Sequence, residues 1–245
     1  MEKVYGLIGS AVSHSFSKQY FDEKFFREGL RDHRYELFQL NHISELEQLI
    51  QNTKGLAGLN VTLPYKEQVI PYLNEISPDS KKIGAVNVIR FKDGKLYGYN
   101  TDADAFYETL DRWLPQKSGI TALILGTGGS SKAVQEALNR LGIPYHLVSR
   151  SNEKGTYTYQ TLNAQIIKDH RLIINTTPLG MHPNTETFPP IPYEHITKTH
   201  WVYDLIYNPA RTLFLQKAEM RDAQIKNGLE MLYLQAEKSW NIWNR

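Results

Sequence analysis

The chain contains no cysteine, so disulfides, thiolate catalysis and cysteine-ligated zinc are excluded outright. It has little excess charge. The 28 Lys and Arg against 26 Asp and Glu leave a net +2, and the lysines are spread along the chain. No broad basic field of the kind that binds nucleic acid or an anionic membrane is therefore expected. No apolar run reaches the roughly 20 residues that span a bilayer, and the opening Met1, Glu2, Lys3, Val4, Tyr5 and Gly6 lack the apolar core of a signal peptide. The eight histidines, His14, His33, His42, His146, His170, His182, His195 and His200, show neither HxH nor HExxH spacing, so no metal site is expected. What is present, 41% hydrophobic and 22% charged residues over 245, is ordinary soluble-protein composition, enough for one large or two modest domains. The expectation is a cytoplasmic enzyme acting on a small molecule, with no nucleic-acid or membrane partner.

Periodicity organises the chain into alternating strands and helices. Residues 4–9 read as a buried strand. Residues 17–29 read as a helix with Phe21, Phe25 and Phe26 on one stripe and Gly29 as its stop. Strands are expected at 35–40 and 56–62, a helix at 43–51, and a short helix at 66–73 broken by Pro71. Strands at 85–91 and 96–99 flank a Lys92, Asp93, Gly94, Lys95 turn and read as a hairpin. A second unit begins with an amphipathic helix at 102–114. Strands follow at 120–125, 145–149, 172–175 and 201–206, and helices at 132–141, 212–221 and 229–243. Strands alternating with helices predict a parallel α/β sheet, and the repetition on both sides of about residue 101 predicts two α/β domains.

Gly126, Gly128 and Gly129 stand between an apolar strand and a helix, the context that a dinucleotide-binding turn requires. Glycine lets the backbone turn sharply and approach a pyrophosphate, while the helix start offers free N–H groups and a favourable dipole. The third glycine of the usual pattern is replaced by Ser131. At the end of the next strand, NAD-binding folds place Asp or Glu on the ribose 2′-hydroxyl. Here the residues are Ser149, Arg150, Ser151, Asn152, Glu153 and Lys154. Arg150 stands where the acid would be, and a guanidinium suits a 2′-phosphate. Ser149, Ser151 and Lys154 add donors, and Glu153 lies later. NADP is favoured over NAD.

Four stretches of the first half are polar where core or plain loop is expected: His14 to Ser17, Asn60 to Lys66, Gly84 to Asn87, and Gly98 to Asp102. Each lies in or after a strand, and ligands of open α/β sheets bind beyond the carboxyl ends of strands. These stretches carry a resemblance. H-S-F-S, N-V-T-L-P-Y-K, G-A-V-N, N-T-D, G-T-G-G-S-S-K-A, I-N-T-T-P-L-G-M, D-L-I-Y-N-P and N-G-L-E-M-L-Y-L-Q-A, in this order, resemble the shikimate dehydrogenases over nearly the whole chain. The resemblance implies reversible NADPH-dependent reduction of 3-dehydroshikimate to shikimate, on the route to chorismate and the aromatic amino acids. It implies that Ser15 and Ser17 hold the substrate carboxylate, although the same serines suit N-capping of the helix. It implies that Thr62, Asn87 and Asp102 bind ring hydroxyls, with Asn87 equally able to pair backbone. Tyr207 and Gln235 match further substrate contacts. Lys66 and Asp102 match the acid/base residues: reduction of a ketone needs a hydride at carbon and a proton at oxygen, and an ammonium near that oxygen supplies the second. For the cofactor the match covers Gly126, Thr127, Gly128, Gly129, Ser130, Ser149, Arg150, Ser151 and Lys154. Leu205 and Gly228 match the nicotinamide lining, Asn175, Thr176 and Thr177 a cofactor-side loop, and Met231 sits nearby.

Three features depart from the family pattern. Lys18 stands where proline is usual after the second serine, Glu230 where glycine is usual, and the 151–171 segment is short, with room for one helix. Readings left open are a quinate or dual quinate/shikimate dehydrogenase, a methylene-tetrahydrofolate dehydrogenase, against which Ser-x-Ser and N-T-D argue, and a non-catalytic NADP-binding sensor. His14, beside Ser15, reads as structural. The expected architecture is two α/β domains with a cleft between them. One is a substrate-binding catalytic domain of residues 1–101 with the last helix, about 229–245. The other is a Rossmann-like NADP-binding domain of residues 102–228, in a monomer or homodimer.

Overall fold

The computed structural model describes residues 2–13, 15–151 and 153–245. The chain forms two compact units, Met1–Thr101 with Ala236–Arg245, and Asp102–Gln235. No helix among the described residues is long and apolar enough to cross a membrane.

In the first unit, β1 (Lys3–Gly9), α1 (Phe16–Arg27), β2 (His33–Gln39), α2 (Leu46–Asn52) and β3 (Leu56–Val61) follow one another. Next come α3 (Tyr65–Gln68), β4 (Glu75–Ile76), α4 (Pro78–Ile83), β5 (Val88–Lys92) and β6 (Lys95–Tyr99). The sheet order is β2-β1-β3-β5-β6-β4. β1 runs parallel to β2 and β3, but β5 is antiparallel to both β3 and β6. The expected hairpin is present as β5 and β6, and β5 is the one strand that runs against an otherwise parallel sheet. The Asp93–Gly94 turn joins this hairpin; what periodicity does not report is that β5 also runs antiparallel to β3. The helix expected at 43–51 is a 3-10 turn, Ile43–Glu45, followed by α2. The one expected at 66–73 stops at Gln68, and Pro71 sits in a separate 3-10 turn, Ile70–Tyr72. Pro71 has no N–H to continue an α-helical ladder.

Phe21, Phe25, Tyr5, Tyr35 and Trp243 bury their rings in one cluster on the α1 side of this sheet. Trp243 reaches it from the end of the last helix, and its indole N–H donates to the Ile89 carbonyl at 3.0 Å. Lys24, 5% exposed, pairs with Glu28 at 2.8 Å and with Glu237 at 2.9 Å, and Tyr20 also hydrogen-bonds Glu237. A buried cation paired to two carboxylates avoids the cost of an uncompensated charge and ties the tail of the last helix to α1.

The second unit contains α5 (Asp102–Trp113), β7 (Ala122–Leu125), α6 (Gly129–Arg140), β8 (Tyr145–Ser149) and β9 (Tyr157–Thr158). It continues through α7 (Ala164–Asp169), β10 (Leu172–Asn175), β11 (Trp201–Asp204), α8 (Leu213–Glu219), β12 (Gln224–Lys226) and α9 (Leu229–Trp243). The tail of α9, from Ala236, belongs to the first unit. All strands run parallel in the order β12-β11-β10-β7-β8-β9. The strand that opens the sheet, β7, lies at its centre beside β10, and this reversal of strand order is the doubly wound topology of nucleotide-binding sheets. β7 and β10 are buried at every residue, as strands covered by helices on both faces must be. The 151–171 segment holds one α-helix, α7, as its length predicts, together with the two-residue β9 and a 3-10 turn, Tyr159–Thr161. Two buried imidazoles satisfy α7's last carbonyls: His170 Nδ1 meets Ile166 O at 2.6 Å and His200 Nε2 meets Ile167 O at 3.0 Å. Ile167 O also accepts from His170 N at 3.2 Å, so backbone and side chains together close the end of this six-residue helix.

Candidate functional site

In the first unit the expected substrate residues come from three strand ends. Ser15 is the N-cap of α1, and its hydroxyl oxygen accepts from Ser17 N at 3.2 Å. Capping is therefore one role of this serine in fact. Ser17 is buried. Thr62 follows β3 and donates its N–H to Ile8 O at 2.9 Å, while its carbonyl starts the α3 turn by accepting from Tyr65 N at 2.9 Å. Lys66 is the second residue of α3, half-buried, and its carbonyl accepts from Val86 N at 2.7 Å. Asn87 precedes β5, and residues 85–87, expected in strand, form instead the turn that carries it. Its amide is engaged with the N-T-D stretch: Nδ2 donates to Thr101 Oγ1 at 2.9 Å, and Oδ1 accepts from Thr101 N at 2.7 Å. Asn100 donates to Ala85 O at 3.0 Å. G-A-V-N and N-T-D thus brace each other. His14 lies outside the described residues.

Sequence reasoning missed what lies beneath these residues. Tyr35 is fully buried, and its hydroxyl donates to Asn60 Oδ1 at 2.8 Å. Asn60 Nδ2 donates to Asn87 O at 3.3 Å and to Ser239 Oγ at 3.0 Å. Because a carbonyl can only accept, these bonds fix the orientation of the Asn60 amide, with Tyr35 as the donor to it. Burial pushes the Tyr35 phenol well above its ordinary range, and the Ser17 hydroxyl opposes that. A continuous chain thus joins Tyr35, Asn60 and Asn87. Tyr35→Phe is expected to lose about 1–3 kcal/mol of unfolding free energy, the cost of leaving buried Asn60 Oδ1 unmet. The ring, stacked on Phe21 at 4.5 Å, stays in place. Urea titration reads this, and a variant as stable as the parent would remove the network's structural role.

Lys18 occupies the family's proline position on α1. Its ammonium donates to Tyr35 O at 2.5 Å and pairs with Asp22 at 3.3 Å and Glu36 at 3.8 Å. Stiffness from a proline ring is replaced here by a side-chain strap to β2.

In the second unit, the expected cofactor residues gather at the carboxyl ends of β7, β8, β10 and β11. Gly126 has φ +109°, a conformation that L side chains rarely adopt, and a Cβ there would stand 2.7 Å from Thr176 Oγ1. Thr176 Oγ1 donates to Leu125 O at 2.7 Å, so the glycine turn and the Asn175 to Thr177 loop are packed together. Gly128 caps α6, which begins three residues before the expected Lys132, so Gly129 and Ser130 form the first turn. Nothing lies within 4 Å of where a Gly128 Cβ would be. Packing does not demand that glycine, and the space beside it, at a 12-residue helix whose first turn carries no acid, suits a pyrophosphate. Thr127 lies within the turn. Ser131, in place of the third glycine, is fully buried and accepts from Gln135 Nε2 at 3.2 Å.

Ser149 ends β8, buried, with its Oγ accepting from Ser151 N at 3.3 Å. Arg150, Ser151, Glu153 and Lys154 are exposed, and Asn152 lies outside the described residues. Leu205 and Gly228 are brought together: a Cβ on Gly228 would stand 2.0 Å from Leu205 O, so only glycine permits this approach. Tyr207 follows, half-buried. Gln235 donates to Leu232 O at 2.9 Å one turn back on α9, and Met231 is buried in the core of the unit. Glu230 pairs with Lys226 at 2.6 Å and Arg112 at 3.3 Å; its carboxylate is held between two cations in the first turn of α9, where the dipole favours it. Asp102 occupies the corresponding place in α5.

The second residue that sequence reasoning passed over is Asp204, at the end of β11 and fully buried. It accepts from Thr212 Oγ1 at 2.6 Å, Asn175 Nδ2 at 3.0 Å and Ile206 N at 3.1 Å. Asn175 Oδ1 in turn accepts from Thr177 N at 3.0 Å and Thr177 Oγ1 at 2.7 Å. One carboxylate thereby sets the loops after both β10 and β11. The signal was an acid closing the apolar stretch Trp201, Val202, Tyr203.

Residues 7–89 match the family model described as the shikimate dehydrogenase substrate binding domain. The NADP(+) shikimate dehydrogenase of Methanococcus maripaludis strain C6 is 38% identical, with 98% of this chain and 91% of that protein aligned. The crystal structure of shikimate dehydrogenase from Aquifex aeolicus is 34% identical and superposes with a TM-score of 0.88, covering 99% of this chain and 92% of that one. A shikimate dehydrogenase solved in complex with NADP+ is 32% identical, with a TM-score of 0.85 over 99% of this chain and 90% of its own. Identity at this level, running through both units and end to end on each side, goes with the substrate-side motifs in the mixed sheet and the nucleotide turn in the parallel one: the chain belongs to the shikimate dehydrogenase family.

Proposed function

We infer that this chain is an NADP-dependent shikimate dehydrogenase, an oxidoreductase acting on a CH–OH group, which reversibly reduces 3-dehydroshikimate to shikimate in aromatic amino acid biosynthesis. The observation that carries the reading is the full-length identity to NADP(+) shikimate dehydrogenases. Local geometry supports it: the glycine turn with open space at Gly128, and exposed Arg150 and Lys154 in place of an acid after β8. When bound, the reduced nicotinamide supplies the hydride.

The unit Met1–Thr101 with Ala236–Arg245 supplies the serines, Thr62, Lys66 and Asn87 for the substrate, and Asp102–Gln235 takes NADP and supplies Asp102, Tyr207 and Gln235. Ser15 and Ser17 bind the substrate carboxylate. Thr62, Asn87 and Asp102 hold ring hydroxyls, and Tyr207 and Gln235 add contacts. Lys66 gives its proton to the ketone oxygen as the hydride reaches carbon, and takes it back in the reverse direction, with Asp102 as the second member of the acid/base pair. Gly126, Thr127, Gly128, Gly129 and Ser130 hold the pyrophosphate. Arg150, with Ser149, Ser151 and Lys154, holds the 2′-phosphate, and Leu205 and Gly228 line the nicotinamide.

Absorbance at the reduced-nicotinamide band tests the reading, with shikimate or quinate and NADP or NAD. NADP-linked turnover of shikimate is expected, at least about tenfold above NAD-linked turnover, the equivalent of one charge-assisted contact to the 2′-phosphate. Turnover of quinate alone would move the substrate to a quinate-type ring. NADP binding without turnover of either substrate would make the protein a sensor.

A further inference from the structure

Parallel neighbouring strands need a crossover of about a dozen residues or more, usually a helix. β8 and β9 are parallel neighbours, with Val148 opposite Tyr157 and Ser149 opposite Thr158. Only residues 150–156 separate them. The chain therefore leaves β8, doubles back along it and turns up again into β9. The returning limb presses on the strand it has just left. Leu147 N donates to Thr156 Oγ1 at 3.4 Å. A Cβ on Gly155 would stand 2.8 Å from Ser149 Cβ, 2.8 Å from Tyr157 O and 2.9 Å from Ser149 N. All three are backbone or Cβ atoms that no rotamer change can move. Gly155 does not sit in the left-handed region, so an alanine there meets a limit of space alone.

The two sides of this contact differ in stiffness. Ser149 belongs to the base of the nucleotide turn: Gly126 N donates to Val148 O at 2.9 Å, and Leu125 pairs with Val148 in the β7–β8 ladder. The other side is the loop that carries Arg150 and Lys154. It is closed by Ser151 N on Ser149 Oγ at 3.3 Å and by Lys154 N on Ser151 O at 3.5 Å. Pressure at residue 155 therefore displaces the loop and leaves the glycine turn where it is. Burial pushes the Tyr159 phenol in the following 3-10 turn up to about 12, against the opposing charge of Arg150.

We propose that Gly155 is a positioning residue for recognition of the cofactor's 2′-phosphate: by letting the seven-residue crossover (150 to 156) close on Ser149, it fixes where the cations of that loop stand. The proposal rests on the reading that Arg150 binds the 2′-phosphate.

The test measures dissociation constants of NADP+, NAD+, 2′,5′-ADP and 5′-AMP by calorimetry on the full chain. It compares the parent with Gly155→Ala, Thr156→Val and Arg150→Ala, with melting temperatures recorded alongside. Gly155→Ala is expected to weaken NADP+ and 2′,5′-ADP about tenfold, the scale of a sub-ångström misplacement. NAD+ and 5′-AMP should stay within about twofold, because the pyrophosphate turn is untouched. Thr156→Val, which unpins the same limb without crowding it, should act in the same direction at about threefold, and it carries the test if the alanine variant does not fold. Arg150→Ala separates the two ideas. If it leaves NADP+ binding unchanged, the Arg150 reading fails and the proposal falls with it. If it weakens NADP+ while Gly155→Ala and Thr156→Val do not, the reading stands and the positioning role is overturned. Equal weakening of NADP+ and NAD+ by the 155 and 156 variants would reduce Gly155 to a folding glycine and overturn it as well.

Discussion

Replacing Lys66 by alanine is expected to lower kcat for ketone reduction by about 10³-fold, within the 10²–10⁴ that a positioned acid or base contributes. The folding midpoint should stay close to the parent's. The two effects separate because the buried side chain of α3 is Tyr65, while Lys66 is half-buried. Tyr65 is the buried member of the helix, with its hydroxyl donating to Leu40 O at 2.8 Å. The bond that Lys66 itself makes to Val86 runs through its backbone carbonyl, which truncation of the side chain spares. Lys66→Arg keeps the charge but changes a compact donor for a planar fork, so an intermediate rate is expected, with KM altered as well as kcat. Asp102→Asn should cost less than the lysine variant in kcat, and it weakens the favourable charge at the start of α5 by about 0.3–1 kcal/mol. Single-turnover mixing with NADPH and 3-dehydroshikimate reads the chemical step directly. A Lys66→Ala enzyme within about tenfold of the parent in that measurement would show that the proton comes from elsewhere.

How far this was legible in the sequence depended on the length of each signal. β8, β10 and α9 were read to the residue, being runs of apolar or 3.6-periodic residues with clear stops. α4 was missed although its punctuation was present. Ser77 caps it by accepting from Ser80 N at 3.2 Å, Pro78 is its first residue, and Gly84 ends it at φ +70°. Six residues are too few to show a period, so caps were the only signal. The direction of β5 against β6 was legible in the hairpin turn, but its direction against β3 was not: the apolar content of 88–92 fits an antiparallel neighbour of β3 as well as a parallel one. In the site, residue type told of chemistry but not of which partner would claim it. Ser15 suited both an anion and a cap, and the cap bond is formed. Asn87 suited a ligand and a backbone, and its amide braces Thr101. Tyr35 and Asp204 were passed over for one shared reason. Each sits inside a strand, where an aromatic reads as core and a lone acid reads as a strand end. Only the three-dimensional neighbours show them to be the polar centres of their units.

Asp204 makes the second large prediction, and its sign follows from its burial. Burial pushes its carboxyl up to about 7 from an ordinary 3.8, against the opposing hydrogen bonds from Thr212, Ile206 and Asn175. An acid whose folded value lies above its unfolded one holds its proton more tightly when folded. Stability is therefore fullest below about pH 4, declines as pH rises between about 4 and 7, and is flat in this respect above. The total decline is a few kcal/mol at about 1.4 kcal/mol per unit. Asparagine fits the site with the same shape. Its oxygen accepts from Asn175 Nδ2 and Ile206 N as Oδ1 does now, and its NH₂ donates to Thr212 Oγ1, whose own O–H must then turn from the acceptor it has in the parent. Asp204→Asn is thus expected to remove the charge while keeping the loops after β10 and β11 in place. Relative to the parent it gains stability as pH rises from about 4 to 7, and at pH 8 it equals or exceeds the parent. Asp204→Ala instead strands the Thr212 hydroxyl and Ile206 N–H in the core, at about 1–3 kcal/mol each. It also frees Asn175, so cofactor binding should weaken along with the fold. Urea unfolding of the three proteins from pH 4 to 8 decides the matter. Parallel parent and asparagine profiles would mean that Asp204 is ionised throughout, and that three hydrogen bonds suffice to hold a carboxylate charged in the interior of this sheet.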